Sequence, residues 1–172
     1  MNILETTIVK PPYHYLSLAH STAKARAIDS RNRSYSNRRG LDPARAEQYE
    51  ILGALGEAAF YYYLGKEYRG TVNECRKQDY ITCGIHFDIK TTRNADFLTI
   101  PEAHVKRKHN FIYVCALDDG TFEIIGYIFN KDILRYPLEN PGNRIDKVTG
   151  KPAMAYVVPR EAFKAINPHG RN

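Results

Sequence analysis

Asp79, Asp88 and Lys90 are the side chains whose types and spacing could do chemistry. Over 85–90, Ile85, Phe87 and Ile89 alternate with His86, Asp88 and Lys90, which is the period of a strand. Side chains two apart share a face, so Asp88 and Lys90 point one way while the isoleucines and Phe87 point into the core. A two-residue turn at Cys83-Gly84 would pair Thr82 with Ile85, Ile81 with His86, Tyr80 with Phe87, and Asp79 with Asp88. Cys-Gly is not the favoured Asn-Gly or Asp-Gly pair, but any hairpin here brings Asp79 near Asp88. Like charges facing each other across a hairpin are destabilising. A divalent cation between them removes the conflict, and Mg²⁺ or Mn²⁺ prefers carboxylates, carbonyls and water.

The elements that must position these groups follow from the local patterns. Residues 1–16, with Pro11-Pro12, read as an extended lead-in. Ser17 to about Arg31 is rich in Ala and Arg without Gly or Pro, which predicts a helix that Ser17 could cap. Arg31 to Gly40 is a polar, basic loop. Asp42-Pro43 is a helix start, and apolar residues at Ile51, Leu55, Ala58, Ala59 and Tyr62 keep helical spacing to Leu64, with Gly65 suited to the end. Gly53 and Gly56 cost that helix roughly 1 kcal/mol each against alanine, so something packs closely there. Glu57 is a carboxylate among Ala, Gly and aromatics and wants a metal or a cation as partner. Further on, 97–100 reads as a short strand and 111–117 as a buried central one. Asp118-Asp119-Gly120 is a turn and 122–129 its return strand. A helical turn at 130–134, a surface loop at 137–152, a strand at 155–158 and a short helix at 159–166 complete the chain. The expectation is an α/β (α+β) fold, its N-terminal helices preceding a mixed, mostly antiparallel central sheet.

A helical Gly-Glu (Gly56-Glu57), then Asp79, then Asp88-Ile89-Lys90 is similar to the PD-(D/E)xK nuclease superfamily. The order of helix, hairpin, further strand, helix or loop, and strand, over roughly residues 45–130, also resembles that restriction-endonuclease-like core. The Gly-Ala-Leu-Gly-Glu helix and the strand ending Asp-Ile-Lys-Thr-Thr look like small phage or bacterial members. Gln78 stands where the name-giving proline would, and Glu74 is an alternative to Asp79 as first acid. The resemblance implies a Mg²⁺-dependent DNA endonuclease, with Mn²⁺ able to substitute, whose catalytic residues are Glu57, Asp79, Asp88 and Lys90. Asp79 and Asp88 would hold the metal with the Ile89 carbonyl. Lys90 would orient or deprotonate water or stabilise the phosphorane, and Glu57 would bind a second metal or a metal-bound water. The runner-up is a non-catalytic DNA-binding module that kept the fold. A third reading is an interaction protein in which Asp88 and Lys90 are a weak surface pair, Asp79 a turn residue and Glu57 a solvent-facing helix residue.

The charge pattern fits a DNA partner. Lys and Arg number 25 against 19 Asp and Glu, a net charge of +6, a modest excess that clustering makes more informative. The stretch with Lys24, Arg26, Arg31, Arg33, Arg38, Arg39 and Arg45 reads as a phosphate-contacting arm. Lys106, Arg107 and Lys108, flanked by His104 and His109, read as a DNA-facing or solvated basic turn, and Tyr61, Tyr62 and Tyr63 as helix packing. Zinc at Cys75, Cys83 and His86 lacks a fourth ligand, and Cys115 lies in an apolar strand where thiols are inert.

The 172 residues, 43% hydrophobic and 26% charged, predict one globular domain: lead-in, helix and basic loop at 1–41, catalytic core at 42–134, and loop, strand and helix at 135–172. No apolar run suits a membrane span, Met1–Glu5 does not open a secretory signal, and three cysteines argue against a disulfide scaffold. A cytoplasmic setting is expected, in the host cell if the chain is phage-encoded. No membrane and no small-molecule cofactor are expected. With one site per chain, cutting both strands favours a homodimer or sequential nicking.

Overall fold

The computed structural model describes residues 6–32, 42–70, 79–147 and 149–168. Strand β1 (Thr7–Val9) leads into helices α1 (Tyr13–Asn32) and α2 (Pro43–Tyr63). The hairpin β2 (Tyr80–Thr82) and β3 (Ile85–Thr92) follows, then β4 (Phe97–Pro101) and the short helix α3 (Glu102–Val105). Next come β5 (Asn110–Ala116), β6 (Phe122–Ile128), the helical turn α4 (Asn130–Ile133), β7 (Leu138–Glu139) and β8 (Ala155–Pro159). Among the described residues these strands form two sheets, ordered β1-β6-β5-β3-β2 and β4-β8-β7. Among the described residues only β3 and β5 run parallel. The architecture is therefore mixed α+β, with helices ahead of a mostly antiparallel sheet.

Local chemistry explains the helix ends. The Asp42 carboxylate accepts the amides of Ala44 and Arg45, each at 3.0 Å, and Pro43 opens α2 where no amide donor is needed. Gly65, at φ +64°, turns the chain just past the helix. Helix α1 starts before the expected Ser17. The Pro12 carbonyl accepts the amides of Tyr15 and Leu16, so the prolines themselves launch the helix, and Ser17 sits inside it. The expected C-terminal helix shrinks to a 3₁₀ turn at Arg160–Ala162, after which Lys164 exchanges backbone hydrogen bonds with Tyr127. Leu138 and Glu139, inside the expected 137–152 loop, pair with β8.

The hairpin has the anticipated register: Tyr80 opposite Phe87, Ile81 opposite His86, Thr82 opposite Ile85. Cys83 (φ 48°) and Gly84 (φ 73°) are both left-handed, as a type I′ turn requires. Phe87 and Ile89 are buried, but Ile85, expected in the core, is 38% exposed because it lies at the hairpin tip beyond the reach of α2. Strand β5 is buried on both faces. Phe111, Tyr113 and Cys115 pack against the second sheet, while Ile112, Val114 and Ala116 face Phe60, Phe87 and Ile89 on the α2 side.

Helix α2 lies close on β3 because Gly56 has no side chain. A Cβ there would stand 1.8 Å from the Thr91 hydroxyl oxygen. A Cβ on Gly53 would meet nothing within 4 Å among the described residues. The sequence reading of close packing therefore holds at Gly56 and fails at Gly53. Gly56→Ala is expected to destabilise the fold by about 1–3 kcal/mol or more through overpacking, while Gly53→Ala stabilises it by up to about 1 kcal/mol through helix propensity. Urea unfolding of the two variants beside wild type measures both.

Candidate active site

Glu57 enters the site through the α1–α2 contact. Ala19 and Ala23 on α1 and Ala54 and Ala58 on α2 are buried against one another, and these small side chains let the helices approach closely. Arg26, one turn beyond Ala23, reaches across the seam and grips Glu57 with both forks of its guanidinium, at 2.7 Å to Oε1 and 2.9 Å to Oε2. The Tyr68 hydroxyl donates to Oε2 at 3.4 Å. Burial opposes the charge on Arg26, but Glu57 outweighs it and holds the guanidinium firmly protonated. The basic stretch read as a phosphate arm thus turns inward at Arg26: its nearest anion is Glu57. Arg31 lies on α1 with its side chain outside the described residues, as are Arg33, Arg38 and Arg39 entirely. Glu74, Cys75 and Gln78 also lie outside them.

Asp79 sits just before β2, at the foot of the hairpin. Its carbonyl accepts the Tyr61 hydroxyl at 2.7 Å, which ties it to the end of α2, where Tyr80 packs edge-on against Phe60. Its Oδ2 accepts the Ile89 amide at 2.7 Å. The carboxylates expected to stand opposite one another lie close enough that each bears on the other's charge. Burial first, then the charges of Glu57 and Asp88, push the Asp79 carboxyl well above the usual range, against the pull of Lys90 and the Ile89 amide.

Asp88 and Lys90 share one face of β3, and the ammonium lies 2.7 Å from Asp88 Oδ2. Burial works against the charge on Asp88. The His104 imidazole, Lys90 and the Asp79 hydrogen bond overcome it and hold this carboxyl well below the usual range. His104 and His109 approach the same oxygen with Nδ1 at 3.5 and 3.7 Å. The parallel pairing of β3 with β5 sets Asp88 opposite Phe111, and so brings the start of β5 beside it. Asn130 clamps the turn that carries both histidines, donating from Nδ2 to the carbonyls of Val105 and His109 at 2.9 and 3.1 Å. Read from the sequence as flanks of a basic turn, the two imidazoles instead belong to the surroundings of Asp88. Their closeness depends on a strand crossover that no local pattern encodes.

An open groove runs from the hairpin tip to that turn, lined by His86, Arg107, Lys108 and His109. Lys108 takes a left-handed backbone (φ 60°), which makes the turn tight. Lys106 is exposed and pairs with Glu102 at 2.8 Å, so it stands apart from the groove lining. Cys83 is exposed in the turn, whereas Cys115 is buried in β5, where burial raises its thiol and keeps it unreactive.

Among the described residues, no three Asp, Glu, His or Cys side chains converge so as to enclose a metal ion. The donor chemistry nonetheless divides the acids clearly. Both Glu57 oxygens are occupied by Arg26, while Asp79 and Asp88 lie close together and, among the described residues, Asp79 makes no ion pair of its own. Such a pair suits one hard cation. Among the described residues no helix is long and apolar enough to cross a membrane. No family model, curated protein or solved structure matches the chain.

The two aspartates titrate in opposite senses. Asp88, held low, contributes stability above the ordinary aspartate range and loses it as pH falls through its depressed value. Asp79, held high, favours the fold while protonated and loses that contribution as pH rises through its raised value. Asp79→Asn keeps an acceptor for the Ile89 amide and a donor for Asp88 without the charge. It should melt above wild type at pH 8, with the gap closing as pH falls toward 5, as thermal unfolding at several pH values would reveal.

Proposed function

We propose that this chain is a divalent-metal-dependent endonuclease that hydrolyses phosphodiester bonds in DNA, a restriction-endonuclease-like member of the PD-(D/E)xK superfamily. The observation that supports the reading is Asp79, held at the foot of the hairpin by the Ile89 amide, beside Asp88 and its partner Lys90 on one face of β3, with the buried Glu57 near enough to bear on Asp79. The hairpin brings the two aspartates together, and α2 brings Glu57 from farther back along the chain. Their charge conflict is the kind that a bound cation relieves. The nearby groove, with Arg107 and Lys108, offers cations for phosphates.

In this mechanism Asp79 and Asp88 hold Mg²⁺ or Mn²⁺. The ion, when bound, supplies Lewis-acid polarisation of the scissile phosphate and a water of lowered pKa. Lys90, fixed on Asp88, presents its ammonium to the reacting phosphate, where it orients the attacking water or stabilises the charge that develops. Tyr61 and the Ile89 amide fix the backbone and carboxylate of Asp79, so the pair is formed before substrate arrives. Arg107 and Lys108 steer the backbone of the nucleic acid; Lys106, Arg31, Arg33, Arg38 and Arg39 are proposed as further phosphate contacts. A homodimer would place two such sites for cutting both strands. The setting proposed is the cytoplasm, of a host cell for a phage-encoded chain.

One observation favours a second reading, a DNA-binding module without catalysis: the acids already have internal partners, and no three donors converge among the described residues. Incubation with supercoiled plasmid and linear duplex in Mg²⁺, Mn²⁺ or EDTA separates the two. Cleavage is expected with metal and not with EDTA, Asp88→Ala should abolish it, and Lys90→Ala should slow it on the order of 10²-fold or more. Salt-dependent DNA binding with no cleavage in either metal would establish the second reading instead.

A further inference from the structure

We infer that the Arg26 guanidinium is the resident cation of Glu57, so that the site takes a single divalent ion, held by Asp79 and Asp88, and Glu57 is not a metal ligand. This inference rests on the metal-dependent reading above and specifies its ion count.

The geometry of the pair carries the argument. Both oxygens of Glu57 are engaged by the two ends of one guanidinium, at 2.7 and 2.9 Å, and Tyr68 adds a donor to Oε2. Arg26 and Glu57 are mostly buried, with side chains 19% and 12% exposed, beside a seam of buried alanines. A guanidinium does not lose its proton at any physiological pH, and its planar fork matches a carboxylate. For a metal to take Glu57, the two-pronged pair with Arg26 would have to be broken within a mostly buried seam, which is unfavourable. Charge balance points the same way. Glu57, Asp79 and Asp88 carry three negative charges when ionised, and Arg26 and Lys90 carry two positive ones. A single divalent ion turns this surplus into one positive charge, which one phosphodiester neutralises. A second ion would leave a buried corner heavily positive. Arg26 is on this view a positioning residue: it fixes Glu57, whose charge bears on Asp79.

The test counts Mn²⁺ bound to the full chain, from the electron paramagnetic resonance of the free ion. Four proteins are compared: wild type, Asp79→Asn, Glu57→Gln, and the double variant Arg26→Met with Glu57→Leu. The double variant removes the buried pair without leaving a lone charge. Should it fail to fold by circular dichroism, Glu57→Gln, which still accepts from Arg26, serves alone. Wild type is expected to saturate at one ion per chain. The Glu57 variants should keep that ion with affinity within a few-fold, and Asp79→Asn should lose affinity on the order of tenfold or more. Two ions in wild type, one of them lost with Glu57, would overturn the inference and leave the nuclease reading standing, as would loss of the single ion in a folded Glu57 variant. No uptake by wild type at millimolar Mn²⁺ would overturn the metal-dependent reading and the inference with it.

Discussion

Three carboxylates in a corner largely shielded from water cannot all remain charged unless each is answered by a donor or a cation. Most of the molecule around Glu57, Asp79 and Asp88 can be understood as the supply of those answers. Glu57 receives the whole fork of Arg26. Asp88 receives Lys90, with His104 beside it. Asp79 receives one backbone amide and a strained relation with its two acidic neighbours, and its carboxyl is accordingly the one driven upward. The asymmetry gives the corner its character: among the described residues, two acids have a cation of their own and one does not.

Small residues make that arrangement possible. The alanine seam between α1 and α2 brings the backbones near enough for Arg26 to span the gap with both ends engaged. Gly56 lets α2 lie close on Thr91 of β3, with the buried Glu57 next in the helix. Each small residue gives up side-chain burial or helix propensity, and what is gained is the placement of its polar neighbour. The aromatic end of α2 completes the frame, with Phe60 and Tyr61 against Tyr80 and the Tyr61 hydroxyl on the Asp79 carbonyl.

Those parts of the fold written in neighbouring residues were legible in the sequence. The hairpin register followed from alternation about Cys83-Gly84, the start of α2 from Asp42-Pro43, and the burial of β5 from its unbroken apolar run. The proximity of Asp79 to Asp88 needed only the hairpin, and it is present. What escaped depends on partners far along the chain. Arg26 resembled every other arginine in a basic stretch until α2 was laid against α1. The one available signal was its place beside the run of alanines at 19, 23 and 27. His104 and His109 looked like flanks of a solvated turn because the parallel pairing of β3 with β5 leaves no periodic trace in either strand. Ile85 kept the apolar alternation yet stands at the tip, since a pattern specifies a face and not how far the covering helix extends.

The crossover between β3 and β5 also orders events in time. Glu57, Asp79, Asp88 and Lys90 all precede β5 and the histidine-bearing turn along the chain. Until β5 is in place, the edge of β3 away from β2 has no partner strand. Asn130, which clamps the histidine turn, arrives later still. The acids and the lysine of the corner are thus made before the strand and the turn that complete their surroundings.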